Sequence, residues 1–262
     1  MLLDIEKPAC SNMIFDTHAH YDDQRFDSVR DELLTSLPSL GVGAVINCAV
    51  DEQSAERILS LSRKYEYCYC AIGYHPENIP MRTPDLSAIE YLFNEPKVIA
   101  VGEIGLDYYW EKDKAELQKQ WFAVQAEFAK SRQLPVIVHD RDAHGDALEI
   151  LKQIQPSGVV HCFSGSAEYA AEIVKLGMYL GFGGVTTFKN SKKCREVIAT
   201  VPIQRILLET DAPYMAPEPY RGKTCHSGMI IRVAEKISDI KGISVDEVLS
   251  ITKQNAKQLF GI

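Results

Sequence analysis

One pattern constrains this chain more than any other: from residue 14 nearly to its end, short runs rich in β-branched and aliphatic residues alternate with longer segments of helical period. Eight runs read as strands, at 14–17, 44–48, 67–72, 98–102, 135–138, 158–160, 178–181 and 205–208. Helix-period segments lie at 29–37, 52–64, 86–93, 114–132, 147–153, 167–176 and 230–240. The clearest is 114–132, where Leu117, Trp121, Val124 and Phe128 recur at spacings of three and four. The strands lack polar alternation, as parallel strands covered on both faces do. No glycine-rich phosphate turn follows the first strand, which argues against an open doubly wound sheet. The expected fold is therefore an α/β TIM (β/α)8 barrel, and 262 residues suit a single such domain. Residues 1–12 read as an N-terminal extension and 13–262 as the barrel.

Residues 1–12 contain Asp4, Glu6 and Lys7, so they lack the apolar centre of a secretory signal. No apolar run approaches the roughly 18 residues of a membrane span. The 7 cysteines, odd in number and none in a C-x-x-C pair, read as reduced thiols of a cytoplasmic protein with no membrane association. A net charge of −8 argues against coating nucleic acid through a broad basic surface, because such binding draws on counterion release from many phosphates. A nucleic-acid substrate would have to be gripped locally.

Chemistry concentrates at the strand ends. His18 and His20 follow the first strand, Glu103 the fourth, His139 the fifth, His161 the sixth and Asp211 the eighth. In a TIM barrel the C-terminal strand ends form one rim, so residues spread over most of the chain converge there. The i, i+2 spacing of His18 and His20 in extended backbone sends both imidazoles to one side. A lone strand-end histidine is usually a hydrogen-bonded structural residue, but four of them with two carboxylates on one rim form a metal-ligand set. Six donors exceed what one catalytic ion takes, so two divalent ions are expected, Zn²⁺, Mn²⁺ or Mg²⁺, with imidazole favouring the first two and Glu103 bridging. Glu103 and Asp211 are the catalytic candidates, Asp211 as acceptor of the attacking water's proton, with Glu209 orienting from behind.

Several strings resemble the TatD-type metal-dependent deoxyribonucleases: Phe15-Asp16-Thr17-His18-Ala19-His20, Ile72-Gly73-Tyr74-His75-Pro76, Val101-Gly102-Glu103-Ile104-Gly105-Leu106-Asp107 and Leu208-Glu209-Thr210-Asp211. Pro135-Val136-Ile137-Val138-His139 and Val160-His161-Cys162-Phe163-Ser164-Gly165 match as well, in order, so the resemblance runs from 14 to 262. It implies a barrel of the amidohydrolase-like superfamily in which His18, His20 and Asp211 hold one ion, His139 and His161 the other, and Glu103 bridges. It also implies that His75 and Arg141 contact substrate phosphate or leaving group, with Ser164 and Gly165 near by. The chain departs from the pattern at Tyr21, where leucine is common, and at Thr224-Cys225-His226-Ser227, where many relatives carry Arg-Asn-Glu-Pro. These departures are expected at the rim.

The expected reaction is phosphodiester hydrolysis by a water activated between two metals; the resemblance implies a DNase or exonuclease working 3′ to 5′ on single-stranded DNA or RNA. Its partner would be a nucleic-acid end, and no protein partner is indicated. Lys189, Lys192, Lys193 and Arg195 after strand seven suit a phosphate backbone, and Tyr108, Tyr109 and Trp110 after strand four suit a stacked base. A solvated helix face and a loop anchor are the ordinary readings of the two groups. Two other functions stay open: ester or amide hydrolysis, as by a D-aminoacyl-tRNA deacylase, and a non-catalytic nucleic-acid-binding scaffold, which would need lost ligands and a basic surface. His144 and His226 match no motif and read as surface histidines.

Overall fold

The computed structural model describes residues 13–262; the extension read at 1–12, with Cys10, lies outside them. Eight parallel strands form one sheet in sequential order. They are β1 (Ile14–Ala19), β2 (Val42–Cys48), β3 (Cys68–Ile72), β4 (Val98–Asp107), β5 (Val136–Arg141), β6 (Gly158–Val160), β7 (Tyr179–Phe182) and β8 (Ile206–Leu208). A parallel bridge between Ala19 and Ala212 brings the last strand back to the first, giving the expected TIM barrel. Every strand contributes to one interior cluster, including Phe15, Ile46, Ala71, Ile99, Ile137, Val159, Tyr179 and Leu207. A packed interior of this kind leaves only the strand ends for chemistry.

The helices are α1 (Arg30–Ser36), α2 (Glu52–Lys64), α3 (Ala115–Ser131), α4 (His144–Ile154), α5 (Ala167–Lys175), α6 (Lys192–Thr200), α7 (Ile230–Lys241) and α8 (Val245–Phe260). The helix expected at 86–93 is only a 3-10 turn, Glu90–Asn94. Pro84 and Pro96 bracket that segment, and so short a stretch cannot offset the cost of nucleating an α-helix. α8 is not marked by the periodicity reading, yet it opens with a capping box in which Ser244 and Glu247 bond each other's backbone N–H. Its Phe260 packs against Phe15 and closes the bottom of the barrel, away from the rim. Among the described residues no helix is long and apolar enough to cross a membrane.

α3 presents a different face from the one expected. Val124 is exposed, while Gln118, Trp121, Phe122, Gln125 and Ala129 point inward. The two glutamines are drawn in by unpaired backbone at the strand ends. Gln125 Oε1 accepts from Tyr74 N (2.7 Å) and its Nε2 donates to Tyr74 O (3.2 Å). Gln118 does the same for Asp107, accepting from N at 2.8 Å and donating to O at 3.0 Å. Buried backbone groups need partners, and these amides supply them beside His75 and at the end of β4.

The β1–β8 seam is held by side chains more than by a ladder. Thr17 Oγ1 donates to Leu208 O (3.1 Å). The buried Asp16 carboxylate accepts from His18 N (3.2 Å), Thr210 N (3.0 Å), Thr210 Oγ1 (2.7 Å) and Ser227 Oγ (2.7 Å). Burial pushes Asp16 up to about 6 in spite of those bonds. The two departures from the family pattern meet here and not at the rim. Tyr21, Cys225, His226 and Ser227 are all fully buried, so His226 is no surface histidine. The segment is folded inward because Cys225 N bonds Pro213 O (3.0 Å) and Ser227 reaches Asp16. Tyr21 Oη lies 2.7 Å from Ser227 Oγ and accepts from Ser227 N at 2.8 Å. A leucine at 21 would orphan that N–H, and a proline at 227 would have no N–H to give, so the two residues are a matched pair.

If so, Tyr21→Phe and Ser227→Ala should each destabilise the fold by about 1 kcal/mol. Their double-mutant cycle in urea should return a coupling of at least about 0.5 kcal/mol. Strict additivity would separate the two residues.

Candidate metal centre

The residues expected at the rim do converge. β1 runs far enough to carry His18 and, one residue past its end, His20; β4 is longer than expected, so Glu103 lies within it and Asp107 ends it. β5 carries His139, His161 follows β6, and Asp211 follows β8 in a left-handed backbone conformation (φ 61°) that aspartate tolerates better than most residues. Glu103 is central. Its Oε2 lies 3.2 Å from His18 Nε2 and 3.4 Å from His20 Nε2, both of which face Asp211 Oδ1 at 3.8 and 3.5 Å. Its Oε1 lies 2.7 Å from His161 Nε2, 2.9 Å from His139 Nδ1 and 3.5 Å from His75 Nε2. The ligand-capable groups His18–His20–Asp211, His18–Glu103–His161 and His75–Glu103–His139 each gather within 4.8 Å.

What touches the outer nitrogen of each ring decides what the inner one offers. His20 Nδ1 lies 2.9 Å from the Cys48 carbonyl oxygen, which can only accept, so a proton sits on Nδ1 and Nε2 is the nitrogen turned inward. His18 Nδ1 meets Cys48 Sγ at 3.4 Å. His139 is turned around: its Nε2 faces Asp107 Oδ2 at 3.0 Å, leaving Nδ1 for the centre. His161 has Glu209 Oε1 behind it, 3.8 Å from Nδ1. An outer carboxylate or carbonyl is the usual support of a metal-ligating histidine. His75 differs, since its Nδ1 accepts from Glu77 N (3.2 Å) and its neutral ring therefore presents an N–H inward.

The arrangement fits cations. His18 Nε2 and His20 Nε2 are 3.0 Å apart, and with Glu103 Oε2 and Asp211 Oδ1 they form a knot of electron-pair donors that a positive ion would hold together. The electrostatics agree. Burial pushes His18 down to about 4 and His75 down to about 3, so both stay neutral. Burial would raise Glu103, but His161 beside it and the hydrogen bond from His139 outweigh burial and hold the carboxyl well below the usual range. Burial likewise opposes His139, yet Asp107 and Glu103 on its two sides hold it up at about 10. Glu209, which accepts from Cys162 N at 2.5 Å, is raised by burial to about 8. It leaves no room at Gly181, where a Cβ would strike Glu209 Oε2.

A cleft of about 820 Å³ opens over these residues, lined also by His75 and Arg141. Arg141 does not pair with a carboxylate of its own loop: its guanidinium lies 4.1 Å from the Tyr109 ring centroid and 5.6 Å from that of Trp110. Ser164 and Gly165 are not among the residues that line the cleft; Gly165 packs so closely on Phe163 and Tyr169 that a Cβ would clash. Lys189, Lys192, Lys193 and Arg195 do not line it either, and Arg195 is spent on the Phe188 and Lys189 carbonyls. His144 is half-buried, bonded to Asp140 at 2.9 Å and stacked on Tyr169, outside the centre. Asp107 is the participant the sequence reading passed over, although the string Gly105-Leu106-Asp107 contains it.

A family model described as TatD related DNase matches residues 15–261. The chain is 41% identical to the uncharacterized metal-dependent hydrolase YabD of Bacillus subtilis (strain 168), across 95% of this chain and 100% of that one. It is 34% identical to the uncharacterized metal-dependent hydrolase YcfH of Escherichia coli (strain K12), across 95% and 96%. The crystal structure of YjjV, a TatD homolog from Escherichia coli K12, superposes with a TM-score of 0.89 at 32% identity, covering 96% of this chain and 99% of that one.

Asp107→Asn should weaken divalent-metal affinity by about 10- to 100-fold, because an amide that can flip no longer fixes the His139 tautomer. Titration calorimetry with Zn²⁺ measures it, with His144→Ala as the control expected to bind like wild type. Equal affinities in both variants would remove Asp107 from the support of the centre.

Proposed function

As the chain belongs to the TatD-related DNase family and is a metal-dependent hydrolase, we propose that it hydrolyses phosphodiester bonds at the end of a single DNA or RNA strand, with two divalent ions at its centre, in the cytoplasm. One observation carries this reading: Glu103 Oε2 faces His18 and His20, which also meet Asp211, while its Oε1 faces His139 and His161. The mixed imidazole and carboxylate set suits Zn²⁺ or Mn²⁺ better than Mg²⁺. When bound, such a pair lowers the pKa of water and offsets the negative charge that grows on a phosphoryl oxygen.

The protein's own groups supply the rest. Burial would raise Asp211, but its hydrogen bond with His20 and the imidazoles around it outweigh burial and hold it below the usual carboxylate range, so it stays ionised and is placed to take the proton of the attacking water. His75 offers a neutral N–H toward the space beside Glu103 Oε1, suited to a phosphoryl or leaving-group oxygen. Arg141 brings a fixed positive charge to the same cleft. The six described cysteines are free, in keeping with a reducing compartment.

Chelation should abolish turnover and leave the far-UV dichroism intact; parallel loss of both would make the ions part of the fold. A single strand labelled at its 5′ end should shorten one nucleotide at a time from the 3′ end, while a closed single-stranded circle survives. Blunt duplexes should be slower, because fraying costs about 1.4 kcal/mol per base-pair step. Rapid nicking of the circle would overturn the end-directed mechanism. Turnover of an aminoacyl ester beside inactivity on every strand would move the protein to carbonyl ester hydrolysis.

A further inference from the structure

The charge of the cleft raises the question of how a polyanion is held there. Its walls include six carboxylates, Asp22, Asp23, Asp27, Glu77, Glu103 and Asp211, against two guanidinium groups, Arg57 and Arg141. Arg57 is already paired with Asp22 at 3.0 Å. Outside the centre, then, such walls give a phosphate backbone little attraction. Yet Trp110 and Tyr214 line the same cleft with 61% and 40% of their surface in water. A loop anchor is buried, whereas most of the Trp110 side chain stands in water.

Trp110 is nevertheless held in place. Asp107 Oδ1 accepts from Tyr109 N (2.9 Å) and Trp110 N (2.8 Å), while Oδ2 of the same carboxylate faces His139 Nε2 at 3.0 Å. One side chain therefore fixes the aromatic turn and a residue of the centre in a common frame. The Tyr109 ring backs Trp110 edge-on, centroids 4.6 Å apart at 90°, and Arg141 covers Tyr109. We infer that Trp110 is a stacking platform for a base of the bound strand, Arg141 standing beside it for the adjoining phosphate. This inference rests on the phosphodiester reading. Stacking suits the task because it is indifferent to sequence and owes nothing to the charge of the walls.

The chain's two tryptophans make the test direct, since Trp121 is fully buried and Trp121→Phe leaves Trp110 as the sole reporter. Zinc-loaded Trp121→Phe protein is titrated with a hydrolysis-resistant phosphorothioate single strand, and with the same strand carrying tetrahydrofuran abasic residues at its 3′ end. Emission from Trp110 should change saturably with the first and bind the second about tenfold more weakly. In turnover on an ordinary strand, Trp110→Ala should raise KM about tenfold with kcat nearly unchanged, Trp110→Phe should restore most of the loss, and the abasic-ended strand should not tell the variants apart. Cleavage by wild type with no change in Trp110 emission and no rise in KM for Trp110→Ala overturns the platform and leaves the reaction standing. Quenching by the strand without cleavage of any phosphodiester keeps the platform and overturns the reaction. Neither binding nor cleavage overturns both.

Discussion

The structure turns on the crowding of lone pairs and negative charge around one buried carboxylate. Glu103 meets five imidazoles within 3.5 Å, each with its outer nitrogen turned to the surrounding protein. Such a gathering is costly in a low-dielectric interior unless positive charge holds it, by protonation or by cations. The donor set, the cleft above it and the orientation of the rings all follow from meeting that one requirement.

Behind the centre lies a layer whose members each hold two things at once. Cys48 touches His18 through its thiol and His20 through its carbonyl. Asp107 holds His139 and the Tyr109–Trp110 turn, and Gln118 in turn holds the Asp107 backbone. Asp16 ties β1 to Thr210, next to Asp211, and through Ser227 to Tyr21. Positions fixed this way on strands tolerate little drift, which is what catalysis by positioning needs.

The acidity of the chain acquires a local meaning. Its carboxylates are not merely spread over the surface but crowd the cleft, so on the proposed phosphodiester reading a strand would be admitted by the centre and the aromatic turn, not drawn along a basic track. The exposed lysines after β7 do not line the cleft.

The sequence by itself determined the barrel and the six residues of the centre. Strand periodicity is local, and a barrel places every strand's C-terminal end on one rim, so His18, His20, Glu103, His139, His161 and Asp211 could be assigned to one place from position alone. What surrounds them was decided only by tertiary packing. Hydrophobic patterning counts glutamine as polar, so it turned Val124 inward where the backbone of Tyr74 and Asp107 called in Gln125 and Gln118. The Tyr21–Ser227 bond joins residues 206 positions apart, and no local period reports such a pair. For the same reason the pattern around His226 gives no sign of its burial, and the string holding Ser164 and Gly165 gives none of the close packing on Phe163 and Tyr169 that accounts for the glycine. Local patterns fix where the backbone goes, but hydrogen bonds between distant polar side chains depend on ångström-scale distances that exist only once the barrel has closed.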